Sequence, residues 1–179
     1  VAVVAASPGM AFEVGEWVVH PQHGVGRVTR LETKQFGPAA RLYYEVAVPK
    51  STVWVPVDSA AGALRPLTAK RDLPRYGGLL KSKPKPVNKD HRQRRLELIE
   101  RLQPGTFQAR CEVVRDLAAL GWIKPLSEPD AALLRVTRDK LCQEWAMVKG
   151  VTLVEATQEV ENLLREARQA HGESTRPAA

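Results

Sequence analysis

Between residues 12 and 57 the apolar positions come in short bursts separated by glycine and proline. Trp17-Val18-Val19 is the first burst. A turn over Pro21 to Gly26 follows, and Val25, Val28 and Leu31 continue beyond it. Leu42 to Val48, reading LYYEVAV, is the second, and Pro49-Lys50 supplies the next turn. Thr52 to Val57, reading TVWVPV, is the third. β-Branched and aromatic residues between such punctuation predict strands. Strands this short predict a small, strongly bent antiparallel sheet or barrel.

From about residue 67 the apolar period becomes helical. Thr68 is placed to cap a short helix running to about Leu80, with Gly77-Gly78 weakening its end. KSKPKPVNKD, residues 81–90, carries two prolines and four lysines and reads as an extended connector. A helix over about 90–102 is stopped near Pro104-Gly105, and the next spans about 106–120. On that helix Phe107, Cys111, Val114, Leu117 and Ala118 share a face, and Gly121 suits the left-handed position past its end. Ser127 caps another helix, with Pro129 in its first turn and Asp130 at the capping-box position. Its stripe is Leu134, Leu141, Trp145 and Val148, closed by Gly150. Thr152 and Glu155 form a capping box for the last helix, where Ala156, Val160, Leu163 and Ala167 keep the period. The fold class is therefore α+β: a flexible leader over 1–11, a β module over 12–66, an all-α domain over 67–170, and a frayed tail over 171–179.

Composition narrows the class. The chain is 44% hydrophobic and 26% charged, ordinary for a globular protein. No apolar run approaches the roughly 20 residues needed to cross a bilayer. The opening VAVVAASPGMAF has no basic segment before its apolar start, so it reads as a loose leader or as residues upstream of a true start near Met10. Cys111 and Cys142 lie far apart on helical patterns and read as buried reduced thiols, which fits the cytoplasm. The net charge of +7 is not spread evenly: residues 1–68 carry +1, residues 69–101 carry +7 and residues 102–179 carry −1. A cluster of this kind suits a polyanion partner, or a solvated linker.

Catalytic and metal chemistry find little footing. His20 and His23 bracket Pro21-Gln22 in a turn between strands, not one face of a helix, and no Cys, Asp or Glu stands in that turn. Gly24 and Gly26 are followed by a strand pattern, whereas a phosphate loop opens into a helix. They suit a tight turn with positive φ or a bulge. Carboxylates are scattered along helices and read as solvated faces. No cofactor, metal or catalytic residue is expected. The basic segment is the better candidate: with a helix over 90–102, Lys89, Arg92 and Arg95 project together and Arg94 lies further round, while Leu98, Ile99 and Leu102 face inward. Such a cluster binds phosphates through charge neutralisation and reads little sequence. Trp54 stands beside Pro56, which is tolerated mainly on an edge strand, so Trp54 is either core or the anchor of a contact. Trp17, Trp122 and Trp145 read as core.

The segments F-x-V-G-E-x-V-V-H-P-x-H-G-V-G-R-V (12–28), Y-Y-E-V (43–46) and V-W-V-P-V (53–57) resemble the N-terminal module of the CarD/CdnL family of bacterial transcription regulators. That module also occurs in the transcription-repair coupling factor. The helical half, with GTFQARCEVVRDL over 105–117, and the short chain favour CarD/CdnL, and the resemblance extends over about 12–168. It implies a Tudor/SH3-like β module that docks on the RNA polymerase β subunit by strand pairing. It further implies a helical domain that meets promoter DNA, double-stranded or forked, at the upstream edge of the −10 element and stabilises the melted complex. The protein would act as a cytoplasmic, nucleoid-associated monomer that is not an enzyme and has no membrane partner. By position, the polymerase-facing residues implied are Lys34, Arg41, Lys50 and Trp54. The DNA-facing residues implied are Lys89, His91, Arg92, Arg94 and Arg95. The sequence departs from the family pattern at one point: His91 stands where the resemblance places a minor-groove tryptophan wedge, and Val87 stands one helical turn earlier. Rival readings are a protein-interaction adaptor without DNA binding and a divergent paralogue lacking the wedge.

Overall fold

The computed structural model describes residues 11–172. The expected leader, the start near Met10 and most of the expected frayed tail lie outside the described residues; His171 ends the last helix. The described chain separates into two compact units divided between Leu67 and Thr68. The first is an antiparallel five-stranded sheet and the second is helical, an α+β architecture.

The sheet holds β1 (Trp17–His20), β2 (Gly24–Lys34), β3 (Arg41–Val48), β4 (Ser51–Pro56) and β5 (Arg65–Pro66), in the order β4-β3-β2-β1-β5. Alternation along β3 explains its two faces: Tyr44 and Val46 are fully buried, while Tyr43 and Glu45 face away from that core. Val18, Val28 and Val55 join them, and the short helix α1 (Ala60–Ala63) closes the cluster through Ala60, with Leu64 beyond it. Phe12 packs on the same core. Its N–H donates to the Tyr44 hydroxyl at 3.2 Å, and that hydroxyl donates to the Phe12 carbonyl at 3.0 Å. The glycines act by two different means. Gly24 adopts φ +80°, whereas a Cβ on Gly26 would stand 2.7 Å from Val46 Cγ1 and 3.0 Å from the Ala47 carbonyl oxygen. The bulge in the sheet falls between Val28 and Arg30 instead.

Two expectations fail in this unit. Two-residue β5 was not anticipated, because Arg65-Pro66 has no strand pattern; it forms only by pairing with Val18 and Val19 of β1. Trp17 is 40% exposed rather than core, since alternation along β1 turns it opposite to Val18 and places it under the Arg27 guanidinium.

The helical unit contains α2 (Leu73–Lys81), α3 (His91–Leu102), α4 (Phe107–Ile123), α5 (Glu128–Lys149) and α6 (Leu153–His171). One core gathers Leu73, Tyr76, Leu80, Phe107, Leu141 and Trp145 with both cysteines, whose burial pushes their thiols up from the ordinary range. A second cluster packs α3 on α4 through Leu98, Val113 and Leu117. Caps close the helices as expected at Ser127, at the Thr152–Glu155 box and at left-handed Gly150. The predicted N-terminal helix is shorter than expected: a 3-10 turn at Lys70–Asp72 precedes α2. Thr68 does not cap it. Its N–H and hydroxyl both donate to Glu144 Oε1, at 3.1 and 2.9 Å. Gly121 is no cap either, for α4 runs on to Ile123 with Leu126 packed against Gly121. Ile99, expected inward, is 39% exposed.

The largest departure concerns charge. Arg94, Arg110, Arg115, Asp116, Asp130 and Glu144 are all buried, where scattered carboxylates suggested solvated faces. Each buried carboxylate has a cationic partner: Arg110 to Glu144 at 3.1 Å, Arg115 to Asp116 at 2.8 Å and Arg94 to Asp130 at 2.6 Å. Pairing is what allows such groups into a core.

Candidate functional site

The histidine turn is structural. His20 Nδ1 accepts from the backbone N–H groups of Gln22 at 3.1 Å and His23 at 3.3 Å, so the ring closes the β1–β2 turn. The two rings lie 4.7 Å apart. Among the described residues no group of three or more His, Cys, Asp and Glu is placed to hold a metal ion.

In the β unit, the strand order puts β4 at one edge of the sheet. Trp54 is opposite Glu45 on β3, and Glu45 is opposite Arg30 on β2. This row lies on the face away from the core, so Trp54 is a surface aromatic and not a core residue. Arg30 is ion-paired with Glu45 and its guanidinium stands 5.6 Å from the indole centroid. Lys34 Nζ lies 4.6 Å over the same indole. Phe36, 64% exposed, packs edge-on to Tyr43 and 6.4 Å from Trp54. Lys34 also hydrogen-bonds Glu32 and holds that carboxyl below the usual range. The result is an aromatic patch held open by cations beside an unpaired strand edge. Of the four residues singled out here, Lys34 and Trp54 meet. Arg41 is cross-strand from Lys34 and reaches Asp58 at 4.0 Å. Lys50 stands in the β3–β4 turn at the other end of the strand, outside the cluster.

In the helical unit, Asp90 caps α3 by accepting from Arg92 N–H at 3.0 Å and Gln93 N–H at 2.8 Å. The Gln93 and Arg92 amides hold the Asp90 carboxyl below its usual range. Lys89, His91, Arg92 and Arg95 are exposed around this end. Lys89, Arg92 and Arg95 form no ion pair among the described residues. Arg94 must be removed from the phosphate-facing set. Its side chain is 4% exposed, clamps Asp130 through Nε and Nη2, and donates from Nη1 to the Asn88 and Lys89 carbonyls at 2.7 and 3.2 Å. Burial alone would raise the Asp130 pKa, but the bonds from Arg94 and Ser127 outweigh it and hold the carboxyl low. Val87 is half-buried against the α3–α4 cluster, so of the two positions considered for a wedge only His91 stands free of the core.

The connector before α3 is extended, as its prolines dictate, yet it is fastened along its length. Arg115 donates to Ser82 Oγ at 2.8 Å, the Lys85 N–H donates to Asp116 Oδ1 at 2.9 Å, and Asn88 donates to Glu97 at 3.0 Å. Buried Asp116 also accepts from Arg101 at 2.9 Å. Sequence reasoning missed this frame. The sign of it was there: Arg110, Arg115 and Asp116 sit among the apolar positions of RCEVVRDL, where a solvated helix face would have no reason to put them. It also misplaced Trp122, which is half-buried at the rim of a groove beside the connector and absent from either core cluster.

Residues 12–68 match the CarD-like/TRCF RID domain, and residues 78–161 match the CarD C-terminal domain. A Bacillus subtilis (strain 168) protein named "Putative transcription factor YdeB" is 26% identical over 144 residues, covering 79% of this chain and 94% of that protein.

Proposed function

Because this chain belongs to the CarD family of transcription regulators, we propose that it bridges RNA polymerase and promoter DNA. The β unit docks on the polymerase β subunit through the β4 edge, with Trp54 as anchor and Lys34 and Arg41 flanking it. Unpaired N–H and C=O groups on an edge strand accept a partner strand, and the aromatic patch beside it supplies apolar area. The helical unit meets promoter DNA through Lys89, His91, Arg92 and Arg95. The protein works in the cytoplasm, on the nucleoid, as a monomer. No described helix is long and apolar enough to cross a membrane.

One observation carries the DNA half. Helix N-termini favour negative charge, and a cation there costs about 0.3–1 kcal/mol. Yet the first turn of α3 holds His91, Arg92 and Arg95, exposed, with the nearby carboxylate of Asp90 already committed to the cap. A conflict between local preference and sequence is expected where a ligand supplies the missing charge. Backbone phosphates are that ligand. Open-complex stabilisation follows if the melted form is held more tightly than the closed one; a difference of about 1.4 kcal/mol shifts the equilibrium tenfold.

The test is binding of the full chain to a forked promoter fragment at two salt concentrations. With four phosphate contacts, affinity falls about a hundredfold between 50 and 200 mM salt. Arg92→Glu/Arg95→Glu should abolish that slope while capture of purified polymerase persists. An adaptor without DNA binding would show no salt-dependent association, and that result would overturn the DNA half of the reading.

A further inference from the structure

The groove at Trp122 has no part in the surfaces described so far. It is about 600 Å3, within the ~300–1,000 Å3 span of pockets that hold small ligands. One wall is the connector, from Lys83 to Val87, and the floor is the end of α4, with Trp122 and Ile123. Ile123 is 56% exposed, a costly arrangement for a helix end unless something covers it.

Charge identifies the partner. Lys83 and Lys85 are exposed on the groove wall and form no ion pair among the described residues. The one carboxylate lining the groove, Asp116, has a fully buried side chain neutralised by Arg101 and Arg115. The uncompensated charge facing the groove is therefore positive. A neighbouring cleft of about 470 Å3 shares Leu120 with it and adds exposed Lys89 and Lys124, its carboxylate Asp130 being spent on Arg94. The positive track thus runs from the first turn of α3 to the indole of Trp122. The bonds that fasten Ser82 and Lys85 to α4 fix the groove wall, so little ordering is required on binding.

We propose that this groove binds a single-stranded nucleic-acid segment, with one unstacked base on Trp122 and adjacent phosphates on Lys83 and Lys85. The inference rests on the nucleic-acid half of the reading above and extends it to the separated strand. Every base presents a flat π face to an indole, and sequential phosphates match a line of lysines. An acidic peptide would satisfy the lysines but would leave Trp122 and Ile123 without a flat apolar partner.

The test uses the full chain and a labelled twelve-nucleotide oligo-dT, followed by fluorescence anisotropy. The expected result is saturable, salt-sensitive binding. Trp122→Leu weakens it about 5–150-fold, the range that base–aromatic stacking supports, and Trp122→Phe restores most of it. Lys83→Glu/Lys85→Glu, at exposed positions that leave the core untouched, abolishes it even if the tryptophan variant fails to fold. Binding unaffected by the lysine reversal, or no binding by the unaltered chain, overturns the proposal. Tighter binding of decaglutamate than of oligo-dT, lost on the same reversal, assigns the groove to an acidic peptide and overturns it as well. The two readings separate cleanly: Arg92→Glu/Arg95→Glu tests the duplex face, and the groove variants leave duplex association in place.

Discussion

Removing the carboxylate of Asp130 should be among the most damaging single changes in the helical unit. Arg94 and Asp130 have side chains 4% and 2% exposed, joined at 2.6 Å between Nη2 and Oδ2 and at 3.3 Å between Nε and Oδ1. In Asp130→Ala the guanidinium keeps only two carbonyl acceptors, Asn88 and Lys89, and no counter-charge. Truncating one partner of a buried pair costs about 3–5 kcal/mol, because the other charge stays buried and unpaired. With a urea slope of about 1–3 kcal/mol per molar, the unfolding midpoint should fall by at least about 1 M. Replacing both partners by apolar groups, Arg94→Met/Asp130→Leu, removes the uncompensated charge and should recover most of the loss. The full cycle, followed by far-UV circular dichroism in urea, gives the coupling directly. A loss under about 1 kcal/mol for Asp130→Ala would refute the argument, since that is the range of a solvent-exposed pair. The double variant has a second use. It should retain duplex affinity, because Arg94 positions the start of α3 and does not touch phosphate.

The same pair sets an acid dependence. Asp130 titrates lower in the folded chain than the ordinary ~3.9, so its contribution is complete above that value and disappears as pH falls through the folded one. Urea midpoints measured from pH 6 downward should drop below about pH 4 in the parent chain, and less steeply in Asp130→Asn. Gly26→Ala places a Cβ 2.7 Å from Val46 Cγ1 and 2.9 Å from Val48 Cγ1, and should destabilise the β unit by about 1–3 kcal/mol in thermal melts. Trp54→Ala should leave the melt of the β unit nearly unchanged while weakening polymerase capture; normal capture would remove Trp54 as an anchor. His91→Trp should lengthen the lifetime of promoter open complexes, because it adds an apolar wedge at an exposed position beside the duplex face. A neutral or shortened lifetime would reject that placement.

Local pattern alone determined much of this protein. Period-two apolar runs broken by Gly and Pro placed β1 to β4, and period-3.6 stripes with Ser127, Thr152 and Gly150 as punctuation placed the long helices. Both are consequences of chain geometry acting over a few residues. The motifs likewise identified the two family domains. What depended on tertiary structure was the fate of individual side chains whose partners are distant in sequence. Arg94 and Arg95 are neighbours in one basic run, yet one is locked against Asp130 from α5 while the other is exposed. Thr68 has the chemistry of a cap but is claimed by Glu144. β5 exists only because β1 offers it an edge, and Trp122 lies at a groove rim because the connector is bound to α4 and not to solvent. Composition shows where charge is concentrated. Which of those charges remain free for a ligand depends on the buried partners that folding brings to them, and residue spacing carries no record of such pairings.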